Sequence, residues 1–136
     1  MKVIDLGSGI LPAFARCARE FGAQVYTVDV IGADRLVQDY LPTEGPARKM
    51  ERDSHICTDL NARGSINLIL EESDGEFDVV TSAKLHAWSD YNGKIVHAPK
   101  DVWKIAKPLL KPDRPYYNAD RNYMEIKTIH ERQTIH

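Results

Sequence analysis

The amino-terminal stretch from Lys2 to Val30 constrains the fold more than any other part of the sequence. It begins with a short apolar run, Val3 to Leu6, which Gly7-Ser8-Gly9 interrupts. Glycine has no Cβ atom, so the chain can turn tightly there and a ligand can approach the backbone. A helical pattern and a second β-branched run follow. The order of strand, glycine turn, helix and strand predicts a β-α-β unit.

The segment after the glycine turn carries one apolar stripe at helical spacing, formed by Leu11, Phe14, Ala15, Ala18 and Phe21. Pro12 suits the first turn of this helix, where its missing N–H is not needed. Gly22 is placed to end the helix. The run from Val25 to Val28 is then predicted to be the second strand.

Asp29 closes that second strand. In open α/β sheets, ligands bind beyond the carboxyl ends of the strands. An acid at this point can accept hydrogen bonds from both ribose hydroxyls of a nucleoside, and its distance from the glycines is close to the roughly 20 residues that such folds use. The unit is therefore predicted to bind a nucleoside, although the same residues are also compatible with a tight turn alone.

Two residues decide which nucleoside ligand the turn favours. The dinucleotide fingerprint needs a small residue where this chain has Pro12, which argues against NAD. Asp5 lies two residues before the first glycine. An anionic side chain aimed into the turn repels a pyrophosphate and attracts a cation. The expected ligand is therefore a nucleoside with positive charge.

The D-L-G-S-G string from Asp5 to Gly9 resembles the first motif of class I S-adenosylmethionine (SAM)-dependent methyltransferases. The resemblance implies a three-layer Rossmann-like α/β sandwich with a mostly parallel sheet. It also implies SAM as the cofactor, with Asp5, Gly7, Ser8 and Gly9 around the methionine end. Asp29 is then expected on the ribose and Val30 beside the adenine. Leu11 stands where the family often has a third glycine.

The chain after this unit is predicted to alternate helices and strands. A short helix is expected over Ala33 to Tyr40, ended by the following prolines and glycine, and a polar surface loop over Thr43 to Ser54 with its charges facing solvent. His55 to Thr58 is expected to be a third strand. In the methyltransferases it resembles, an acid and an apolar residue at this point contact the adenine, which assigns Asp59 and Leu60 to that role. Asp59 could instead cap the next helix.

Periodicity and turn chemistry predict further elements. They are a helix over Ser65 to Glu72, a turn at Ser73-Asp74-Gly75, a strand over Phe77 to Ser82 and a hairpin around Asn92-Gly93. An amphipathic helix over Asp101 to Leu110, capped by Asp101, a strand at Pro115 to Asn118 and a last strand at Met124 to Ile129 follow. The family has a further helix and hairpin after the fifth strand, for which too few residues follow Asn118. The sheet is therefore expected to be shortened at its C-terminal end.

The candidates for catalysis follow the strand at Phe77 to Ser82, which in the family delivers the chain to the place where methyl donor and acceptor meet. Ser82 is assigned to cofactor binding there, and it is expected to face the acceptor together with His86 and Tyr91. The imidazole of His86 titrates near neutral pH and could take a proton from the acceptor. His86 is equally compatible with an ordinary half-buried side chain. Many methyltransferases need little acid–base help, because alignment and exclusion of water suffice.

Composition bounds the function. The chain of 136 residues suits one SAM-binding domain, and its net charge of −2 gives no footprint for nucleic acid. There is no membrane-length apolar run or signal-peptide layout, and no metal is required. Cys17 and Cys57 are interpreted as small core residues in a reducing cytoplasm.

Three functions remain open at this point. The first is a SAM-dependent methyltransferase that acts on a small molecule. The second is a SAM-binding regulatory subunit without transfer activity, and the third is an enzyme that uses SAM for cyclisation or cleavage. The shortened sheet exposes an edge strand, which predicts a homo-oligomer or a partner chain that completes the sheet.

Overall fold

The structure is a computed structural model, and it describes residues 1–9, 13–33, 45–83, 88–91, 94–119, 124–128 and 132–135. Its strands are β1 (Lys2–Leu6), β2 (Gln24–Asp29), β3 (His55–Cys57), β4 (Val79–Ala83), β5 (Trp88–Tyr91), β6 (Lys94–His97), β7 (Tyr116–Ala119), β8 (Met124–Lys127) and β9 (Arg132–Ile135). Its helices are α1 (Ala13–Glu20), α2 (Pro46–Asp53), α3 (Ser65–Glu72) and α4 (Trp103–Leu109).

Seven of the described strands form one sheet in the order β3-β2-β1-β4-β7-β8-β9. The pairs from β3 to β7 are all parallel, whereas β8 and β9 add as an antiparallel extension. The chain moves outward from β1 on one side through β2 and β3, and on the other side through β4 and β7. This reversal of direction between β1 and β4 creates the crevice in which such sheets bind ligands. The predicted Rossmann-like sandwich with a mostly parallel sheet is confirmed.

The two faces of the sheet are covered unequally. Alternate residues of a strand point to opposite faces, so Ile4 and Leu6 point to one face and Val3 to the other. The first face packs in the large core cluster with residues of α3 and α4, among them Ile69 and Leu109. Val3 belongs to a smaller cluster with residues of α1 and β2. The face under α1 is therefore the less filled one.

Several predicted boundaries are confirmed. The helix α3 has the bounds that the periodicity gave, and Asp74 and Gly75 adopt left-handed backbone angles in the predicted turn after it. The strands β5 and β6 form the predicted antiparallel hairpin. The predicted helix over Asp101 to Leu110 is present but shorter, as α4, and its N-cap is Val102 instead of Asp101. Asp101 still accepts a hydrogen bond from the Trp103 N–H at 3.1 Å. The turn residues and the apolar period thus located these elements.

The predicted surface loop over Thr43 to Ser54 is wrong, because residues 46–53 form the helix α2. Pro46 lies in its first turn, where proline is favoured, so the residue that was expected to end one helix begins another. Arg48 and Glu51 are each 1% exposed instead of facing solvent. Their burial requires partners, and Glu51 accepts hydrogen bonds from Arg16 of α1 at 2.7 Å and from Arg48 at 2.9 Å.

Three further predictions need correction. Cys17 and Cys57 are both exposed, so neither is a core residue. The apolar stripe of α1 is only partly inward: Ala15 is buried, whereas Phe14 and Phe21 are 46% and 88% exposed. The strand over Met124 to Ile129 is not the last, because β9 follows and pairs with it. In the first two cases hydrophobic type alone did not determine burial.

The short helix that was predicted over Ala33 to Tyr40 falls largely on residues 34–44, outside the described residues. The same holds for Leu11, Pro12 and Asn92-Gly93. Within the part of the chain that is described, no helix is both long and apolar enough to span a membrane.

Candidate functional site

The glycine turn lies at the carboxyl end of β1, as its position in the sequence predicted. Gly7 and Gly9 have φ angles of 70° and 73°, in the left-handed region where a side chain is strained. The N–H groups of Gly7 and Ser8 both donate to the Val28 carbonyl of β2, at 2.8 and 3.1 Å. These bonds fold the turn back onto the end of the neighbouring strand.

Asp29 is held against this turn by backbone donors. The Gly9 N–H donates to its Oδ2 atom at 2.8 Å, and the Ile31 N–H donates to Oδ1 at 3.3 Å. A carboxylate has about four lone-pair sites, so further donors can still bind. The half-buried side chain is therefore oriented before any ligand arrives and keeps acceptor capacity for two hydroxyl groups.

His55 supports the same corner from β3. Its Nδ1 atom is 2.7 Å from the Thr27 hydroxyl, and its Nε2 atom is 2.6 Å from the Ile31 carbonyl oxygen. A carbonyl only accepts, so Nε2 carries the proton in this pair. The imidazole thus fixes Ile31, whose N–H donates to Asp29. Sequence analysis missed this contact, and the only signal for it was a polar residue beginning a buried strand.

Asp5 lies beside the turn on the face of the sheet that carries α1. It is 6% exposed, and its Oδ1 atom accepts a hydrogen bond from the Thr81 hydroxyl of β4 at 2.8 Å. Burial raises the pKa of the Asp5 carboxyl to about 6, the Thr81 bond opposes this rise, and the charge of Asp29 adds to it. The carboxylates of Asp5 and Asp29 thus lie at the same end of the sheet.

The end of β3 contributes Asp59 and Leu60. The Oδ1 atom of Asp59 accepts a hydrogen bond from the Asn61 N–H at 2.9 Å, so it stabilises its own turn. It does not cap α3, whose N-cap is Gly64 without a side-chain bond. Leu60 is 9% exposed and belongs to the large core cluster. Most of the Leu60 side chain is therefore engaged in packing, and Asp59 has one carboxylate oxygen outside this turn bond.

Ser82 was expected to contact cofactor and acceptor, but its side chain is enclosed. It is 1% exposed, its hydroxyl is 2.6 Å from the Tyr116 hydroxyl, and it donates to the Asn118 Oδ1 atom at 3.1 Å. These bonds tie β4 to β7. The hydroxyl therefore helps to hold the two strands together, and its contact with cofactor or acceptor stays a prediction.

Of the two catalytic candidates, His86 falls outside the described residues. The backbone of Tyr91, the last residue of β5, pairs with that of Lys94 across the hairpin. Val30 is half-buried, next to Asp29, and its carbonyl accepts a bond from the Cys57 thiol at 3.3 Å. The geometry thus brings together Asp5, the glycine turn and Asp29.

Within the ranges that the structure describes, no group of three or more His, Cys, Asp or Glu side chains could hold a metal ion. The polar groups around the glycine turn include backbone amides and the carboxylates of Asp5 and Asp29. This set suits hydroxyl and cationic groups on a ligand.

Comparison with known proteins gives a fold and no family. No protein-family model matches the chain, and no curated protein matches it. Eight chains of solved structures match. One is a protein-L-isoaspartate O-methyltransferase from Plasmodium falciparum, in complex with S-adenosyl-L-homocysteine.

The alignment with that structure covers 98% of this chain and 60% of the other, at 13% sequence identity and a TM-score of 0.50. The chain thus spans about 60% of the length of the structure it matches. The likeness is one of fold alone, a Rossmann-like α/β sandwich.

Proposed function

We propose that this chain binds SAM at the carboxyl end of its sheet and transfers the methyl group to a small-molecule acceptor. The observation that carries the proposal is the bond from the Gly9 N–H to the Asp29 carboxylate, beside the second, buried carboxylate of Asp5. The pair favours a nucleoside ligand that carries positive charge and no phosphate, because two anions repel a pyrophosphate. SAM has a ribose, a sulfonium and an ammonium, and it fits this requirement.

In this proposal each part of the ligand has its own residues. The ribose hydroxyls donate to Asp29, and the adenine lies near Val30, Asp59 and Leu60. The methionine end lies over the glycine turn, in the negative field of Asp5. The acceptor atom attacks the methyl carbon, the carbon–sulfur bond breaks, and its electron pair stays on sulfur to leave S-adenosylhomocysteine. Alignment and desolvation supply most of the rate for such a substitution.

His86 and Tyr91 remain our candidates for the acceptor side, with His86 as the group that removes a proton. Ser82 is not included among them, since its hydroxyl is bonded within the sheet. The proposed acceptor is a small molecule. The neighbour in the fold comparison is described as acting on protein isoaspartate, and that substrate is a second class to be assayed alongside.

Calorimetric titration tests the cofactor. We expect SAM and S-adenosylhomocysteine to bind in the micromolar range and NADH to bind much more weakly. Hydrogen bonds to a charged group contribute about 1.5–3 kcal/mol each. Loss of two ribose bonds in Asp29→Ala should therefore weaken SAM by at least about 100-fold.

The matched control is Asp53→Ala, which removes a carboxylate that is 60% exposed on α2. Its SAM affinity should equal that of the wild type. Tight NADH binding, or SAM binding that Asp29→Ala leaves unchanged, would contradict the proposal.

A second candidate is a SAM-binding regulatory module without transfer activity. The enclosure of Ser82 favours it, because one expected acceptor-facing group is used for structure instead. Mass spectrometry of bound SAM during incubation with candidate acceptors distinguishes the two. S-adenosylhomocysteine with a methylated product indicates transfer, unchanged SAM indicates the module, and other sulfonium products indicate cyclisation or cleavage.

A separate proposal is that the chain associates with a second copy of itself or with a partner chain. It rests on the open edges of the sheet. In the described sheet the outermost strands are β3 and β9, and open edges favour pairing with another chain. Small-angle scattering at working concentration should give more than the monomer mass. A monodisperse monomer would contradict self-association.

A further inference from the structure

An apolar groove lies on the face of the sheet that carries α1. It has a volume of about 820 Å³ and runs between α1 and the strands β1, β4 and β7. Five large apolar side chains are notably exposed in the described part of the chain, and four of them line this groove: Met1, Phe14, Phe21 and Tyr117. The fifth, Met50, lies on α2. Exposed apolar surface gathered in one place marks a binding surface.

One charged side chain, Asp5, lies among the described residues that line the groove. Its Oδ1 atom is bonded to Thr81, whereas Oδ2 has no hydrogen-bond partner among the described residues. Asp5 points to the same face as Val3, since alternate residues of a strand share a face, and both line the groove. Over its described lining the groove is thus apolar apart from one buried carboxylate, that of Asp5, which has an oxygen outside the Thr81 bond.

Charge decides between the possible occupants. A second copy of this chain, packed face to face, would bring apolar side chains but no base for Asp5. Packed in this way, the Asp5 carboxylate of one copy would lie near the Asp5 of the other, and the arginines of α1 are engaged elsewhere, because Arg16 pairs with Glu51 and Arg19 donates to the Val25 carbonyl at 2.7 Å. Such a dimer would bury an ionised carboxylate without a partner, which is strongly unfavourable.

A small molecule with an apolar body and one basic nitrogen satisfies both features. Its body would displace water from the aromatic and aliphatic lining, and its ammonium would donate to the free oxygen of Asp5. The volume falls within the roughly 300–1,000 Å³ of ordinary small-molecule sites. We propose that this groove is a binding site for small apolar amines, with Asp5 as the group that recognises the ammonium.

The proposal goes beyond the proposed methyl transfer. It shares Asp5 with the proposed SAM site but does not require that SAM binds, so its test contains no SAM. The probes are 4-phenylbutylamine, the neutral 4-phenylbutanol and the anionic 4-phenylbutyrate, titrated at pH 7.5 by calorimetry and by saturation-transfer NMR. The amine should bind about tenfold more tightly than the alcohol, which is the usual scale of one charge-assisted hydrogen bond. The carboxylate should bind least.

Two variants separate the charge from the apolar lining. Asp5→Asn should make the amine and the alcohol bind equally. Phe21→Ser, at a side chain that is 88% exposed and so not needed for folding, should weaken both by several-fold. The matched control is Met50→Ser, at a side chain 55% exposed on α2, and it should change neither.

Equal binding of amine and alcohol to the wild type would overturn the proposal, as would an amine preference that survives Asp5→Asn. The oligomeric state, measured by sedimentation, is the third test. A dimer that Phe21→Ser dissociates and Met50→Ser does not would assign this face to a second copy and overturn the small-molecule site.

Discussion

Replacement of Asp5 by asparagine should stabilise the free protein at neutral pH. Burial raises the pKa of Asp5 from 3.8 to about 6. A carboxyl with a higher pKa in the folded chain binds more protons when folded, so stability falls as pH rises from about 3.8 to about 6. Each unit is about 1.36 kcal/mol, so the ionised group destabilises the fold by roughly 3 kcal/mol above pH 6. Asparagine can still accept the Thr81 bond but carries no charge.

Urea unfolding at half-unit steps between pH 3.5 and 7.5 measures this effect. The two proteins should have similar free energies of unfolding at the acidic end. Between pH 4 and 6 the stability of the variant should rise steadily relative to that of the wild type. Above pH 6 the difference between their free energies of unfolding should be constant. Asp53→Asn on α2 is the control, since that exposed carboxylate should give no such step. Parallel curves for Asp5→Asn and wild type would refute the account of a buried, partly neutralised carboxyl.

Three further substitutions test the supporting structure. Glu51→Gln removes the buried carboxylate charge that Arg16 and Arg48 both contact. It should lower the free energy of unfolding by about 3–5 kcal/mol in urea titrations. A loss under about 1 kcal/mol would contradict the buried network. Gly9→Ala should cost about 1–2 kcal/mol, because φ is +73° while no atom lies within 4 Å of the new Cβ; an unchanged melting curve would refute the left-handed turn. Ser82→Ala and Tyr116→Phe, measured singly and together, should show a coupling free energy of about 0.5–3 kcal/mol, and additive effects would argue against their bond.

The parts of the fold that the sequence predicted are those governed by short-range rules. The glycine turn follows from backbone sterics at Gly7 and Gly9, and the bounds of α3 follow from its apolar period. Asp29 lies at its predicted place, as the last residue of β2, because the β-branched and aromatic run ends there. The mostly parallel sheet was expected from the family resemblance that these residues carry, whereas the order of its strands was not predicted.

The helix α2 could not be predicted in the same way, because long-range contacts hold it. Its central Glu51 pairs with Arg16, which lies 35 residues earlier on another helix. In sequence the charges of α2 resemble a solvated loop, and only the approach of α1 turns two of them into core residues. Propensity and pattern contain no term for such a contact.

The same limit applies to the site. Thr81 stands opposite Asp5 in the register of β1 and β4, 76 residues further along the chain. Ser82, one residue later, points to the other face and bonds to β7. Which of two adjacent hydroxyls reaches the site is thus set by strand register, since a shift of one residue exchanges the two faces. The family resemblance located the end of β4 but not this choice.

The buried charge of Asp5 links stability to binding in a way that packing alone does not. In the free protein the ionised carboxylate opposes folding, and a bound cation removes that opposition while it gains affinity. A ligand stabilises the folded chain by an amount that grows with its affinity. In Asp5→Asn the free protein should therefore become more stable, while the additional stabilisation by a cationic ligand becomes smaller. A residue that only fills space would lower both quantities when it is truncated. Opposite changes in the two quantities identify Asp5 as a group whose charge serves a ligand at the expense of the fold.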